Sequence, residues 1–129
     1  MILRLLAIMA LAVAPALGPE RHARLIDARP ALIGRIATAI AKWENCTTWR
    51  NSGCLVWAGQ ANAMHNSRGY ATFRTKAAGD AALVALVTHR VRSGKTLREV
   101  LSIWGSCESV LRELELPGNL VVEKNVWWQ

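Results

Sequence analysis

A chain of 129 residues is long enough for one domain with a single modest core and too short for two. Its 52% hydrophobic and 19% charged residues exclude a disordered chain. A net charge of +7 suits nucleic acid, an anionic membrane or an acidic wall polymer, but the arginines are scattered, from Arg21 and Arg24 to Arg90 and Arg92. No run of five cations and no reading motif marks a specific nucleic-acid face, so most of the charge reads as a solvated basic surface.

The first eighteen residues, MILRLLAIMALAVAPALG, place Arg4 before an apolar run and close on Pro15-Ala16-Leu17-Gly18. That is the order of a secretory signal, and the run is shorter than the roughly 18–20 residues that span a bilayer. The alternative is an N-terminal helix packed on the domain or on a neighbouring subunit, and either form allows transient membrane contact through residues 1–18. Residues 19–30 are polar and Pro-flanked and read as a linker; residues 31–129 are expected to form the domain.

From Ala31 the spacing turns helical: Leu32, Ile33, Ile36, Ala37, Ile40 and Trp43 recur at three- and four-residue intervals, and Pro30 suits the first turn. Residues 45–74 carry Gly53, Gly59, Gly69 and several Asn and Ser between short apolar pieces, which predicts an irregular lobe with a small hairpin. Thr75 is placed to cap a second long helix with Ala78, Ala82, Leu86 and Val87 inward and Gly94 as its stop. Thr96 and Glu99 form a capping-box pattern opening a third helix through Leu101 and Trp104. A short helix over 109–114 and a strand in NLVVEK complete the chain, with Trp127-Trp128 closing over the core or lying on a partner. The fold class is mainly α (α+β), a helical core with a small irregular or β lobe after the first core helix.

Of the three cysteines, Cys46, Cys54 and Cys107, at least one stays unpaired within a single chain. Export would favour a Cys46–Cys54 disulfide bracing the loop between them; the other reading is two small buried thiols. His22, His65 and His89 are dispersed and no C-x-x-C occurs, so no metal and no cofactor is expected.

Positions 33, 37, 40 and 44 share one helix face, apolar at Ile33, Ala37 and Ile40 and acidic at Glu44. Burial beside tryptophans and a place at the negative end of the helix dipole both favour the protonated carboxyl, the form a general acid needs. The competing reading is a solvated Glu past the last turn or one paired with Arg50.

The ordered blocks around that acid resemble a known family. Glu44 at a helix end, Asn51-x-Gly53-x-Leu55, GYATF at 69–73, AAGDAALVAL at 77–86 and GKTLREVLSIW at 94–104 are similar to the small lysozyme-fold proteins of phage particles, which include virion-associated lytic transglycosylases and structural proteins. Asn45 stands where that pattern has Gly, Ser52 where it has Pro, and Gly105-Ser106 where it has Ala-Pro. The resemblance implies a lysozyme-like core over roughly residues 31–104, Glu44 as the catalytic acid, and peptidoglycan glycan strands as the partner. It also implies a virion-associated, periplasmic or secreted location and contact with other virion proteins.

No Asp or Glu lies between Glu44 and Asp80, so the lobe where a second carboxylate would sit has none. A hydrolase normally needs two. One carboxylate suits a lytic transglycosylase, in which Glu44 serves as acid and then as base on the sugar's own 6-hydroxyl; lysozyme-type hydrolysis is the nearest variant. Asn51 either orients Glu44 or an N-acetyl group or holds the turn. Gln60 and Tyr70 are candidate glycan contacts, Tyr70 having core packing as its other reading. Trp43, Trp49 and Trp57 either stack on sugar or pack. A non-catalytic virion protein of the same shape is the rival function.

Overall fold

The computed structural model of the protein describes residues 29–46 and 48–124, so the leader, most of the expected linker and Trp127-Trp128 lie outside the described residues. Its order is helix α1 (Arg29–Glu44), a short 3-10 turn (Thr48–Arg50), strands β1 (Ala63–His65) and β2 (Ala71–Phe73), then helices α2 (Lys76–Arg92), α3 (Leu97–Leu101) and α4 (Cys107–Leu114). The described chain is thus mixed, four helices with one two-stranded antiparallel sheet.

The apolar stripe of α1 is buried as its spacing predicts up to Ile40, but Trp43, expected on it, is 46% exposed. Leu32, Ile33, Ile36, Ala37, Ala39 and Ile40 are all buried, and the helix packs on α2 and α4. Lys42 pairs with Glu113 of α4 near the far end of that contact. In the lobe, β1 and β2 pair through Ala63 with Phe73, Met64 with Thr72 and His65 with Ala71, and a single bridge joins Val56 to Tyr70. Period-two alternation puts Ala71 and Phe73 into the core, both at 0% exposure. The hairpin turn is built by Asn66, whose Oδ1 accepts from the Arg68 and Tyr70 amides, and by Gly69 at φ 86°.

Helix α2 is capped by the Thr75 hydroxyl, which accepts from the Ala78 amide, and the chain leaves it through Gly94 at φ 78°. Its buried face matches the expected one at Val87 and otherwise lies beside it. Gly79, Leu83, Val87 and Val91 face the core, whereas Ala78, Ala82 and Leu86 are half-buried on the neighbouring stripe. Alanine fits either environment, so composition did not separate the two faces. Gly79 is there because α2 touches the 48–50 turn: a Cβ on it would fall 1.9 Å from the Arg50 carbonyl oxygen.

The two helical glycines therefore predict opposite outcomes. Gly34 in α1 has open space around an added Cβ, so Gly34→Ala should stabilise by about 0.5–1 kcal/mol through helix propensity. Gly79→Ala forces two backbones apart and should cost about 1–3 kcal/mol. Urea midpoints of the two variants check both signs.

The capping box of α3 is complete, with the Thr96 hydroxyl accepting from the Glu99 amide and Glu99 reaching back to the Thr96 amide. The helix ends earlier than expected, at Leu101, and Trp104 follows on a turn. The expected NLVVEK strand reduces to one bridge between Val121 and Thr96. The Gly118 and Leu120 carbonyls instead accept from the Arg98 and Leu97 amides, donors that a helix N-terminus leaves without partners. Helix α4 begins two residues before the expected start, at Cys107.

Candidate functional site

A cleft of about 1010 Å³ opens between the lobe and α2. Its lobe wall is Cys54, Leu55, Val56 and the 58–62 turn; its helical wall is the stripe Ala78, Ala81, Ala82, Ala85 and Leu86. Ile103 and Trp104 close one side. The spacing of the alanines, three and four apart, keeps them on one face, and their small side chains are what leaves the cleft open. Trp104 is 6% exposed and donates its indole N–H to the Gly53 carbonyl at 2.8 Å, tying the helical body to the lobe under the cleft. Sequence reasoning placed Trp104 in a helix and gave it no role at the site.

Glu44 ends α1 and lines this cleft, and it is the only carboxylate among the lining residues. It is half-buried and makes no ion pair or hydrogen bond with another described residue, Arg50 included. Trp43 and Trp49 do not line the cleft, so neither seals it. Trp43 is 46% exposed beneath the Lys42 ammonium, and Trp49 stacks on Tyr70 with centroids 5.5 Å apart.

The helix stops after Glu44 because Asn45 turns left-handed, φ 51°, and donates its amide to the Ala41 carbonyl at 3.0 Å. That is the left-handed C-terminal cap, a position Gly fills most often and Asn next. Trp49, Arg50 and Cys54 also have positive φ, at 63°, 54° and 53°. Left-handed backbone costs about 1–2 kcal/mol for a residue with a Cβ, and such residues persist only where their surroundings hold them. Here Cys46 and Cys54 are disulfide-bonded, with Cα atoms 5.5 Å apart, while Cys107 is free.

The three expected substrate contacts separate. Asn51 is 1% exposed and absent from the cleft lining. Its Nδ2 donates to the Leu55 and Ala71 carbonyls at 2.8 and 3.0 Å, and its Oδ1 accepts from the Leu55 amide at 2.8 Å. Of its two readings, the turn is the one that its contacts match. Gln60 lines the cleft but spends one N–H on the Val56 carbonyl and accepts from the Ala58 amide. Tyr70 also lines the cleft, and its hydroxyl makes no hydrogen bond to another described residue. Trp57 stacks on His65 at 5.9 Å, on exposed surface.

Asp80 lies away from the cleft and holds the lobe to α2. Its carboxylate accepts from the Ser52 hydroxyl at 2.8 Å and from the Lys76 ammonium at 2.7 Å. The hydrogen bond from Lys76 is the main cause that holds Asp80 below its ordinary carboxylate range, helped by Ser52 and opposed by partial burial. A lowered folded-state pKa contributes stability above the unfolded value near 4, lost as pH falls through the folded value. Asp80→Asn should therefore lower stability at pH 7, with the loss shrinking as pH falls below the unfolded value, a difference read from thermal melts across that range.

Comparison with known proteins finds no matching family model, no matching curated protein and no matching solved structure.

Proposed function

We propose that this protein is a lytic transglycosylase with a lysozyme-like fold that cleaves peptidoglycan glycan strands, with Glu44 as its sole general acid and base. The observation that carries this reading is a single unpaired carboxylate lining an open cleft between a helix end and a hairpin lobe. Asn45, where the resembling pattern has Gly, is compatible with it, since it takes the left-handed cap position that Gly fills most often.

In the first step Glu44 protonates the glycosidic oxygen as the bond breaks and positive charge spreads over the sugar ring. The resulting carboxylate then removes the proton of the sugar's own 6-hydroxyl, whose oxygen closes an anhydro ring without water. One residue in two roles needs no partner carboxylate, which fits a lining with none besides Glu44. The apolar walls exclude water and seat the faces of the sugars, while the Tyr70 hydroxyl and the remaining N–H of Gln60 are placed to meet polar groups of the strand. Acting on wall polymer places the protein in a virion or in the periplasmic or secreted space, where its basic charge favours an acidic wall.

Product analysis of treated sacculi tests the reading: anhydro-ended muropeptides mark a transglycosylase and reducing-ended ones a lysozyme-type hydrolase. A second reading, a non-catalytic virion protein of this shape, is favoured by Asn51, whose commitment to backbone leaves two of the three polar substrate candidates on the cleft.

A further inference from the structure

We infer that the Cys46–Cys54 disulfide is the positioning device for Glu44 and places the site under redox control, an inference that rests on the catalytic reading of that residue. The loop it closes has two unequal halves. The second half is fixed many times over: Asn51 by its three buried hydrogen bonds, Ser52 by Asp80, and Gly53 by the Trp104 indole. The other half is held at the 48–50 turn, where Trp49 stacks on Tyr70 and the Arg50 guanidinium donates to the Phe73 carbonyl, whereas Cys46 and the helix end before it have no such anchor among the described residues. Helix α1 has its last fully buried residue at Ile40 and its last ion pair at Lys42. Beyond these, Trp43 is exposed and the Asn45 amide bonds only back into its own helix.

The disulfide is thus what couples the end of α1, two residues after Glu44, to the fixed half of the loop. It also closes over the left-handed residues Trp49 and Arg50, with Cys54 itself the third and Asn45 just before the loop. Such a backbone relaxes when its closure opens. Helix ends fray first, and the fraying residue here is the acid.

Both cysteines are half-buried and Cys54 lines the cleft, so a small dithiol has a route to the bond. A reductant thiolate attacks the Cys54 sulfur, and Cys46 leaves as a thiolate and takes up a proton. The second reductant thiol then displaces Cys54, leaving two cysteine thiols and a cyclic disulfide of the reductant, with two electrons and two protons transferred. The reduced loop releases the last turn of α1, and Glu44 leaves the rim. The core of α1, α2 and α4 has no part in the change.

The experiment compares the full chain, oxidised and after dithiothreitol. Reduction should lower kcat on a soluble uncrosslinked glycan strand at least ten-fold with KM within about two-fold, and reoxidation should restore it. Amide hydrogen exchange should quicken at residues 43–49 and stay unchanged across 79–91. Cys46→Ser/Cys54→Ser should match the reduced protein and Cys107→Ser the oxidised one; should the double variant not fold, reduction of the folded parent still decides. Unchanged exchange at 43–49 after reduction overturns the inference, whether or not the protein cleaves glycan. Quickened exchange in a protein that never cleaves supports the clamp and removes only the enzymatic reading.

Discussion

Glu44→Gln should leave the fold and melting temperature intact and lower glycan cleavage by about 10²–10⁴-fold, the usual cost of losing a general acid or base. A loss at or beyond the upper end is expected because one side chain serves both proton transfers. Glutamine keeps the shape and the hydrogen-bonding reach of the side chain but has no proton to give at neutral pH. Stability should not change, since Glu44 makes no ion pair or hydrogen bond with another described residue and sits outside the buried stripe of α1. The measurement is the release of soluble muropeptides from purified sacculi beside a thermal melt of each protein. Equal rates in parent and variant would remove Glu44 from the chemistry; no cleavage by the parent would favour the structural-protein reading.

Asn51→Ala should cost about 2–5 kcal/mol, because the Leu55 amide and the Ala71 carbonyl lose their partner at about 1–3 kcal/mol each and the Leu55 carbonyl keeps only its bond from the Ala71 amide. The groups are the Leu55 amide and the Leu55 and Ala71 carbonyls, all joined through one side chain that is 1% exposed. Total stability for a domain of this kind is about 5–15 kcal/mol, so the variant should be marginal at 25 °C and show a large fall in its urea midpoint. Gln60→Ala is the contrast: Gln60 bonds only within its own exposed turn, and its loss should cost less than about 1 kcal/mol. If Asn51 were a glycan ligand instead, its replacement would weaken binding and spare stability.

Those two asparagine and glutamate positions illustrate what a sequence carries and what it withholds. The stripe of α1, the Thr75 cap and the Thr96–Glu99 box were legible because their signals are local, set by helical periodicity or by hydrogen bonds spanning three residues. The face expected to run on through Glu44 has its last buried residue at Ile40, and Glu44 is half-buried on the cleft. The role of Gly79 was hidden, since its reason is the Arg50 carbonyl, distant in the chain and close only after folding. The alanine face of α2 was assigned inward because methyl groups suit a core and a cleft wall equally well. NLVVEK has the composition of a strand, yet the Leu120 carbonyl, with that of Gly118 just before it, goes to the start of α3, a tertiary choice that β propensity does not encode. Asn45 stands where the resembling pattern has Gly, and it takes a left-handed backbone that Gly fills most often and Asn next.

The ion pair between Arg29 and Glu123, 3.5 Å apart, brings the start of α1 beside the last described turn of the chain. Glu44 lies at the opposite end of the same sixteen-residue helix, about 22 Å away along the axis at 1.5 Å per residue. The two ends of the described domain, residues 29 and 124, therefore meet at one pole, while the cleft opens beside Glu44 at the other. By the same geometry, a short peptide joining residue 124 to residue 29 should give a circular permutant of the described domain that still folds.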